Sequence, residues 1–358
     1  TSNVYNQHDS VIVHNLVEGR NESNDIVVGS INSVILSGSM GDNVFDASAF
    51  SGAVKLYGVA GDNTLLGGSG DDLIEGGIGI DRVSGGLGDD TIDAGFGTDT
   101  LVEAGDYDFT LSNTQLLTID GPDTYQDTIS GIERAELTGG DSENTIDASD
   151  FSGVNGSVYL KDLIAGGTPD FVFGPEFSIL LSDGVTEVQV DVLDSATLSD
   201  VFEVIDAAHD NLSASFDPST NQIVIVDSTA GANNLVLTPQ NNSTIASQLG
   251  LPGTANSTEL RSDELSLSLA SVILLGGNSS DILTGSKAGD FIDGGAGADE
   301  LVGGAGSDTI IAQRDADMTL TNNTLTIAGE IDTLSSIEHA NLTGGSSVNT
   351  LDASGFNL

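Results

Sequence analysis

Hydrophobic positions recur along this chain at a spacing that fits neither a helix nor an ordinary strand. From residue 67 a large aliphatic residue returns every ninth position, at Ile74, Val83, Ile92 and Leu101. A second block, 276–311, does the same at Leu283, Ile292, Leu301 and Ile310. Each stands two residues after an aspartate: Asp72, Asp81, Asp90 and Asp99, then Asp281, Asp290, Asp299 and Asp308. Glycines precede the aspartates, so the unit reads G-G-x-G-x-D-x-U-x, with U the aliphatic. An amphipathic helix would repeat near 3.6 residues and a half-buried strand at 2. A nine-residue period matches neither.

A longer repeat lies outside these blocks. Ile132 to Phe151 matches Ile337 to Phe356, both ending Asp-Ala-Ser-x-Phe, and a diverged copy runs from Ile31 to Phe50. Upstream, the segment from Asp106 pairs with that from Asp315. These pieces alternate apolar and polar residues and break at Asn and Gly, which predicts strands and tight turns. One module thus reads as nonapeptide block, β-hairpin and capping turn. Gly139 to Ile146 keeps the nonapeptide frame with Asn144 for aspartate, and Gly58 to Leu66 does so with Asn63.

Between about 160 and 265 the nine-residue pattern stops. Phe177 to Val192 predicts a hairpin turning at Asp183-Gly184. Thr197-Leu198-Ser199-Asp200 resembles a capping box and opens a helix with Leu198, Val201, Phe202 and Ile205 on one face. A second hairpin joins Leu212–Phe216 to Ile223–Val226, followed by a strand at Leu235–Leu237 and a short helix from Ser243 to Leu249 closed by Gly250. The expected domains are residues 1–163, a first solenoid module with its hairpin and cap; 164–262, an inserted small α+β domain; and 263–358, a second module. The fold class is mainly β.

The nonapeptide resembles the RTX, or hemolysin-type, calcium-binding repeat, a parallel β-roll signature. The resemblance implies a six-residue turn and a three-residue strand in each unit. The chain then reverses every nine residues and regains its direction every eighteen, and the aliphatics point into a thin core between two parallel sheets. The resemblance implies Ca²⁺ in the turns, and the residue types suit it. Calcium takes six to eight hard oxygens, and backbone carbonyls serve as well as carboxylates. Glycine at the first, second and fourth positions permits φ > 0 and inward carbonyls. The expected metal residues are Asp72, Asp81, Asp90 and Asp99 with Asn63, Gly68, Gly70, Gly77, Gly79, Gly86 and Gly88. In the second block they are Asp281, Asp290, Asp299 and Asp308 with Gly295, Gly297, Gly304 and Gly306. Turns one full coil apart share an ion, which stacks Asp72 with Asp90, Asp81 with Asp99, Asp281 with Asp299 and Asp290 with Asp308. Asn63 would complete a weaker site with Asp81. The inserted segment, through Thr197–Ala208 and Ala246–Leu251, resembles the small domain of flagellins and flagellar hook-associated proteins. That resemblance implies a surface-displayed folding unit.

Charge narrows the partners. With 55 acidic against 8 basic residues the net charge is −47, which excludes binding driven by phosphate neutralisation and attraction to an anionic membrane surface. Cysteine is absent, and metal can supply the cross-links that disulfides give other extracellular proteins. No stretch reaches the roughly 20 apolar residues of a membrane span. The chain begins Thr1-Ser2-Asn3 and ends within a repeat, so it is expected to be a piece of a larger repetitive protein.

Catalytic patterns are missing. His8, His14, His209 and His339 are scattered, and H-E-x-x-H, G-x-S-x-G and a phosphate loop do not occur. The expectation is not an enzyme. It is an extracellular or cell-surface, calcium-binding structural segment of a bacterial protein, such as an adhesin stalk, a surface-layer component or a filament subunit. Its partners would be calcium, neighbouring modules or identical subunits. The alternative is the non-catalytic calcium-binding tail of a type I-secreted enzyme or toxin.

Overall fold

The computed structural model describes residues 3–7, 10–14, 33–154, 160, 175–192, 197–217, 220–229, 231–255, 258–263, 265 and 271–357. Ile31, His8 and the expected boundary at 163 lie outside them. The chain forms two compact units. One joins Thr1–Gly153 to Ala270–Leu358 and the other is Val154–Leu269.

The first unit is a parallel β-roll, as the RTX resemblance implies. Strands Leu73–Ile78 and Thr91–Phe96 pair in parallel with Ile74 opposite Ile92, and Arg82–Ser84 pairs with Thr100–Ala104 with Val83 opposite Leu101. Successive nonapeptides therefore alternate between two sheets, and residues eighteen apart stack. Among the described residues one sheet has sixteen strands and the other nine. The difference arises from two antiparallel meanders in the larger sheet. Asp108–Ser112, Gln115–Asp120 and Asp123–Ser130 form the first, and Met318–Thr321, Thr324–Ile327 and Glu330–Ser335 the second. The sequence predicts hairpins here, and a third strand joins each because its far end pairs in parallel with the last nonapeptide coil: Ile129 lies opposite Ile92 and Leu334 opposite Leu301.

The two nonapeptide blocks, expected to be separate modules, share both sheets. Arg134–Thr138 pairs in parallel with Ser271–Gly277, and Thr145–Asp150 with Ile282–Thr284. The capping turn of the first block is thus a coil on which the second block stacks. The physical reason is the open edge: a parallel coil leaves its backbone donors and acceptors unpaired until another coil covers them, and residues 271–284 supply that coil.

All eight eighth-position aliphatics are at most 1% exposed. They line one continuous core with Leu65, Ala135, Leu137, Ile146 and Phe151. A fully buried aliphatic of this kind stabilises by about 1.5–3 kcal/mol, and the core is one side chain deep, so neighbours cannot readily close a gap.

Unit Val154–Leu269 has two three-stranded antiparallel sheets. Phe177–Leu180 pairs with Glu187–Val190 and with Val236–Pro239, and Leu212–Asp217 pairs with Gln222–Asp227, which also pairs with Glu259–Arg261. The helix runs Leu198–Ala208, and Thr197 and Asp200 close a reciprocal capping box. Leu198, Val201 and Ile205 are buried, whereas Phe202 is only half-buried. The short helix spans Ile245–Gln248, with Gly250 at φ +66° behind it. No helix among the described residues is long and apolar enough to cross a membrane.

Replacing Leu101 by Ala should destabilise the calcium-loaded roll by about 2–5 kcal/mol. Replacing the exposed Thr91 should change it by less than about 0.5 kcal/mol. Denaturant titration in excess calcium measures both, and equal effects would rule out the thin-core description.

Candidate metal centre

Each sixth-position aspartate ends a turn and precedes a strand, so the strand register sets its place. Its Oδ1 accepts a backbone N–H one coil below, from a sixth-position residue at six of the eight and from Val54 or Val272 at Asp72 and Asp290. The amide of Asp72 donates to Asp90 Oδ1 at 2.7 Å, that of Asp81 to Asp99 Oδ1 at 2.7 Å and that of Asn63 to Asp81 Oδ1 at 2.7 Å. In the second block Asp281 donates to Asp299 Oδ1 and Asp290 to Asp308 Oδ1, both at 2.9 Å. The structure therefore brings together the four aspartate pairs expected from the spacing, and also Asn63 with Asp81. Two columns of carboxylates result, one along each sheet.

The second carboxylate oxygen carries the chemistry. All eight aspartates are at most 3% exposed. The Oδ2 atoms of Asp81, Asp90, Asp99, Asp281, Asp299 and Asp308 are buried without a hydrogen-bond partner. Asp72 Oδ2 accepts the Gly68 amide at 2.7 Å, and Asp290 Oδ2 takes the Ser286 hydroxyl at 2.9 Å. A buried unpartnered carboxylate oxygen is costly unless a cation or proton meets it.

Backbone oxygens complete the surroundings. Gly77, Gly79, Gly86, Gly88, Gly295, Gly297, Gly304 and Gly306 take positive φ, whereas Gly68 and Gly70 do not. A Cβ at Gly86, φ +89°, would fall on the Gly68 carbonyl oxygen of the coil below. The first-position glycines have a different reason from the one expected. They are not at positive φ, but the place of a Cβ on Gly76 is taken by Asp81 Oδ2 and by the Ala94 carbonyl oxygen of the next coil. Its two nearest atoms are both oxygens. No three Asp, Glu or His side chains among the described residues converge to hold a metal. A cation here would draw most of its oxygens from the backbone, as calcium readily does. Orphaned carboxylate oxygens and carbonyl-lined turns together fit a hard divalent cation.

Burial raises the carboxyl pKa values, and the neighbouring carboxylates add to it. Asp90 and Asp99 are pushed up to about 8, and Asp299 and Asp308 to about 7. Asp72, Asp81, Asp281 and Asp290 move upward for the same first cause.

Five further acids lie at these sites and were not assigned there from sequence. Asp127 Oδ1 accepts the Asp90 amide at 2.9 Å and Glu133 Oε2 that of Asp99 at 2.8 Å. Asp332 Oδ1 accepts from Asp299 at 3.1 Å, and Glu338 Oε2 from Asp308 at 3.0 Å. Glu103 Oε1 accepts the Gly85 amide at 2.8 Å, and burial pushes its carboxyl up to about 8. A signal was present for two of them. Asp127-Thr128-Ile129 repeats Asp90-Thr91-Ile92, and Asp332-Thr333-Leu334 follows the same pattern, without the glycines that mark the nonapeptide.

Replacing Asp90 by Ala removes one orphan oxygen and strands the Asp72 amide, at a cost of about 1–3 kcal/mol. Calorimetric titration should show lost calcium stoichiometry for Asp90→Ala and the parent value for the exposed Asp93→Ala. Identical stoichiometry in all three would refute the register. Acid should act in the opposite sense from most proteins. Carboxyls with folded pKa values above the unfolded value of 3.8 stabilise the metal-free roll fully below about pH 4. That stability is lost as pH rises through about 7 to 8. Circular dichroism in chelator should therefore show β signal falling from pH 4 to pH 8, and a rise would contradict the assignment.

The family model for the RTX calcium-binding nonapeptide repeat (4 copies) matches residues 55–83, 67–101 and 275–310. The matches fall on the coils described above and leave the unit Val154–Leu269 outside them. No curated protein matches the chain. The chain carries RTX calcium-binding nonapeptide repeats folded as a parallel β-roll.

Proposed function

We propose that this chain is a calcium-folded structural segment of a large secreted or cell-surface bacterial protein. Its role would be that of an adhesin stalk, a surface-layer component or a filament part, without catalysis of its own. The observation that carries the calcium reading is the set of six buried Oδ2 atoms without partners, stacked a coil apart in turns lined by carbonyl oxygens. Without a cation these carboxylates repel one another across a core too thin to oppose them. With calcium, the same stacking becomes a series of cross-links along the roll.

The structural role is favoured by modular repetition. Both nonapeptide blocks enter the same two sheets, so coils can be added without a new core, and the roll extends by repetition. The inserted unit, with its likeness in pattern to the small domain of flagellins and hook-associated proteins, would then be a surface-displayed unit. RTX repeats also serve as calcium-binding tails of exported enzymes and toxins, and that remains the second reading. Neighbouring sequence of the parent protein separates them: further modules favour the first, a catalytic domain the second.

Calcium that binds only the folded roll stabilises it by about 2.7 kcal/mol per site at a hundredfold excess over Kd. Far-UV circular dichroism at neutral pH should show a large gain of β signal between chelator and millimolar calcium. A full β signal in chelator would overturn the proposal.

A further inference from the structure

The capping segments 132–151 and 337–356 match in sequence but differ in cover. On the first, Arg134–Thr138 pairs with Ser271–Gly277 above it, and Thr145–Asp150 with Ile282–Thr284. Its Ala135, Leu137, Ile146, Ala148 and Phe151 are at most 1% exposed. The second ends the roll. His339–Thr343 and Leu351–Gly355 are the terminal strands of their sheets among the described residues. Here the equivalent Ala340 and Ala353 are exposed, Leu351 is 44% exposed, and Leu342 and Phe356 are half-buried. Leu342, Leu351 and Phe356 line a groove of about 340 Å³. One face of the same sequence is thus filled once and open once.

The other end of the roll carries the complementary coil. Ser33-Val34-Ile35-Leu36 is identical to Ser271-Val272-Ile273-Leu274, the strand that covers the first capping segment. The same frame continues to Phe45 and Leu283. Val34 and Leu36 are only half-buried, whereas Val272 and Leu274 are fully buried. Val44–Asp46 is the end strand of its sheet among the described residues. Beneath Ser33–Ser37 lies Ser10–His14, one strand of a hairpin with Asn3–Gln7. It stands where Arg134–Thr138 stands beneath Ser271–Gly277, and a two-stranded hairpin is marginally stable by itself.

We propose that the upper end of the roll is the docking surface for a second copy of this chain, which lays its coil 33–46 on the strands of 339–355. The occupant follows from the chain carrying both halves of the join, each partly exposed where its internal counterpart is buried. The register is that of the internal junction. Ala340 takes Val34, Leu342 takes Leu36 and Leu351 takes Phe45, as Ala135 takes Val272, Leu137 takes Leu274 and Ile146 takes Leu283. His339–Thr343 displaces the hairpin of the incoming copy and covers the same backbone edge. The Asn349 amide then donates to Asn43 Oδ1, as the Asn144 amide donates to Asp281 Oδ1 at 2.8 Å. Both side chains are uncharged, so the join adds no buried carboxylate. Among the paired strand positions only Asp352 and Asp46 bring like charges together. Both are exposed, where repulsion is weak and screened by salt. The join is head-to-tail and repeats into an open series. It deepens the structural reading above and rests on the roll being calcium-folded.

Sedimentation velocity of the full chain in millimolar calcium, at rising concentration, tests it. The parent should pass from monomer through dimer to longer species without a size at which growth stops. Leu342→Asp with Leu351→Asp spoils the upper end and Val34→Asp the lower, and each variant should remain monomeric. A mixture of the two should give a dimer and nothing larger, since one sound upper end meets one sound lower end. The control Val185→Asp, at a side chain 84% exposed in the other unit, should assemble like the parent. A parent that gains β signal in calcium yet stays monomeric, or stops at a closed dimer, would overturn the proposal and leave the calcium reading standing. Assembly of the upper-end variant beyond a monomer would overturn it as well. A parent without calcium-dependent β signal would overturn the calcium reading and this proposal together. If Val34→Asp lacks the parent's β signal, the upper-end variant decides the matter, because its changes fall on the open edge of the roll.

Discussion

Everything in the roll depends on one arrangement: buried aspartates of like charge stacked a coil apart, each tied by Oδ1 to the backbone below. The ladder of bonds at 2.7–2.9 Å fixes the vertical spacing of the coils. It also forces the carboxylates into one another's field, with a second oxygen on six of them left unpartnered. Hydrogen bonding thus assembles the electrostatic problem that a cation solves. A polypeptide with net charge −47 can hold such a core when counter-ions are built into it, and the aliphatic interior supplies only the remainder.

The same arrangement explains the composition. Glycine is abundant because upper and lower turns approach so closely that a Cβ would strike a carbonyl or a carboxylate oxygen. Aromatic residues are scarce because the space between the sheets accepts one aliphatic layer. Phe151 and Phe109, both fully buried, stand where the meander and the capping turn depart from the nonapeptide coil and the core has room. Proton and metal compete for the same oxygens, since calcium needs them ionised and burial favours their neutral form.

Splitting the two blocks by a second compact unit does not break the roll. Arg134–Thr138 and Thr145–Asp150 receive the second block in register, so the chain leaves after Gly153 and rejoins near Ala270 while the sheets continue. A parallel solenoid tolerates this because each coil contacts only its neighbours.

The sequence by itself determined the repeat. Through its RTX resemblance it also determined the direction in which Ile74, Val83 and their counterparts face and which aspartates stack, because residues eighteen apart then lie one coil above another. It also determined the Thr197 capping box, a local signal complete within four residues. Tertiary structure alone decided that the two blocks form one roll, since pairing across 137 residues (Ala135 with Val272) leaves no local pattern. It decided the third strand of each meander for the same reason. It likewise decided the places of Glu103, Asp127, Glu133, Asp332 and Glu338. Those five lack the glycine frame, and an acid becomes a column end only when the fold lays it over the last aspartate.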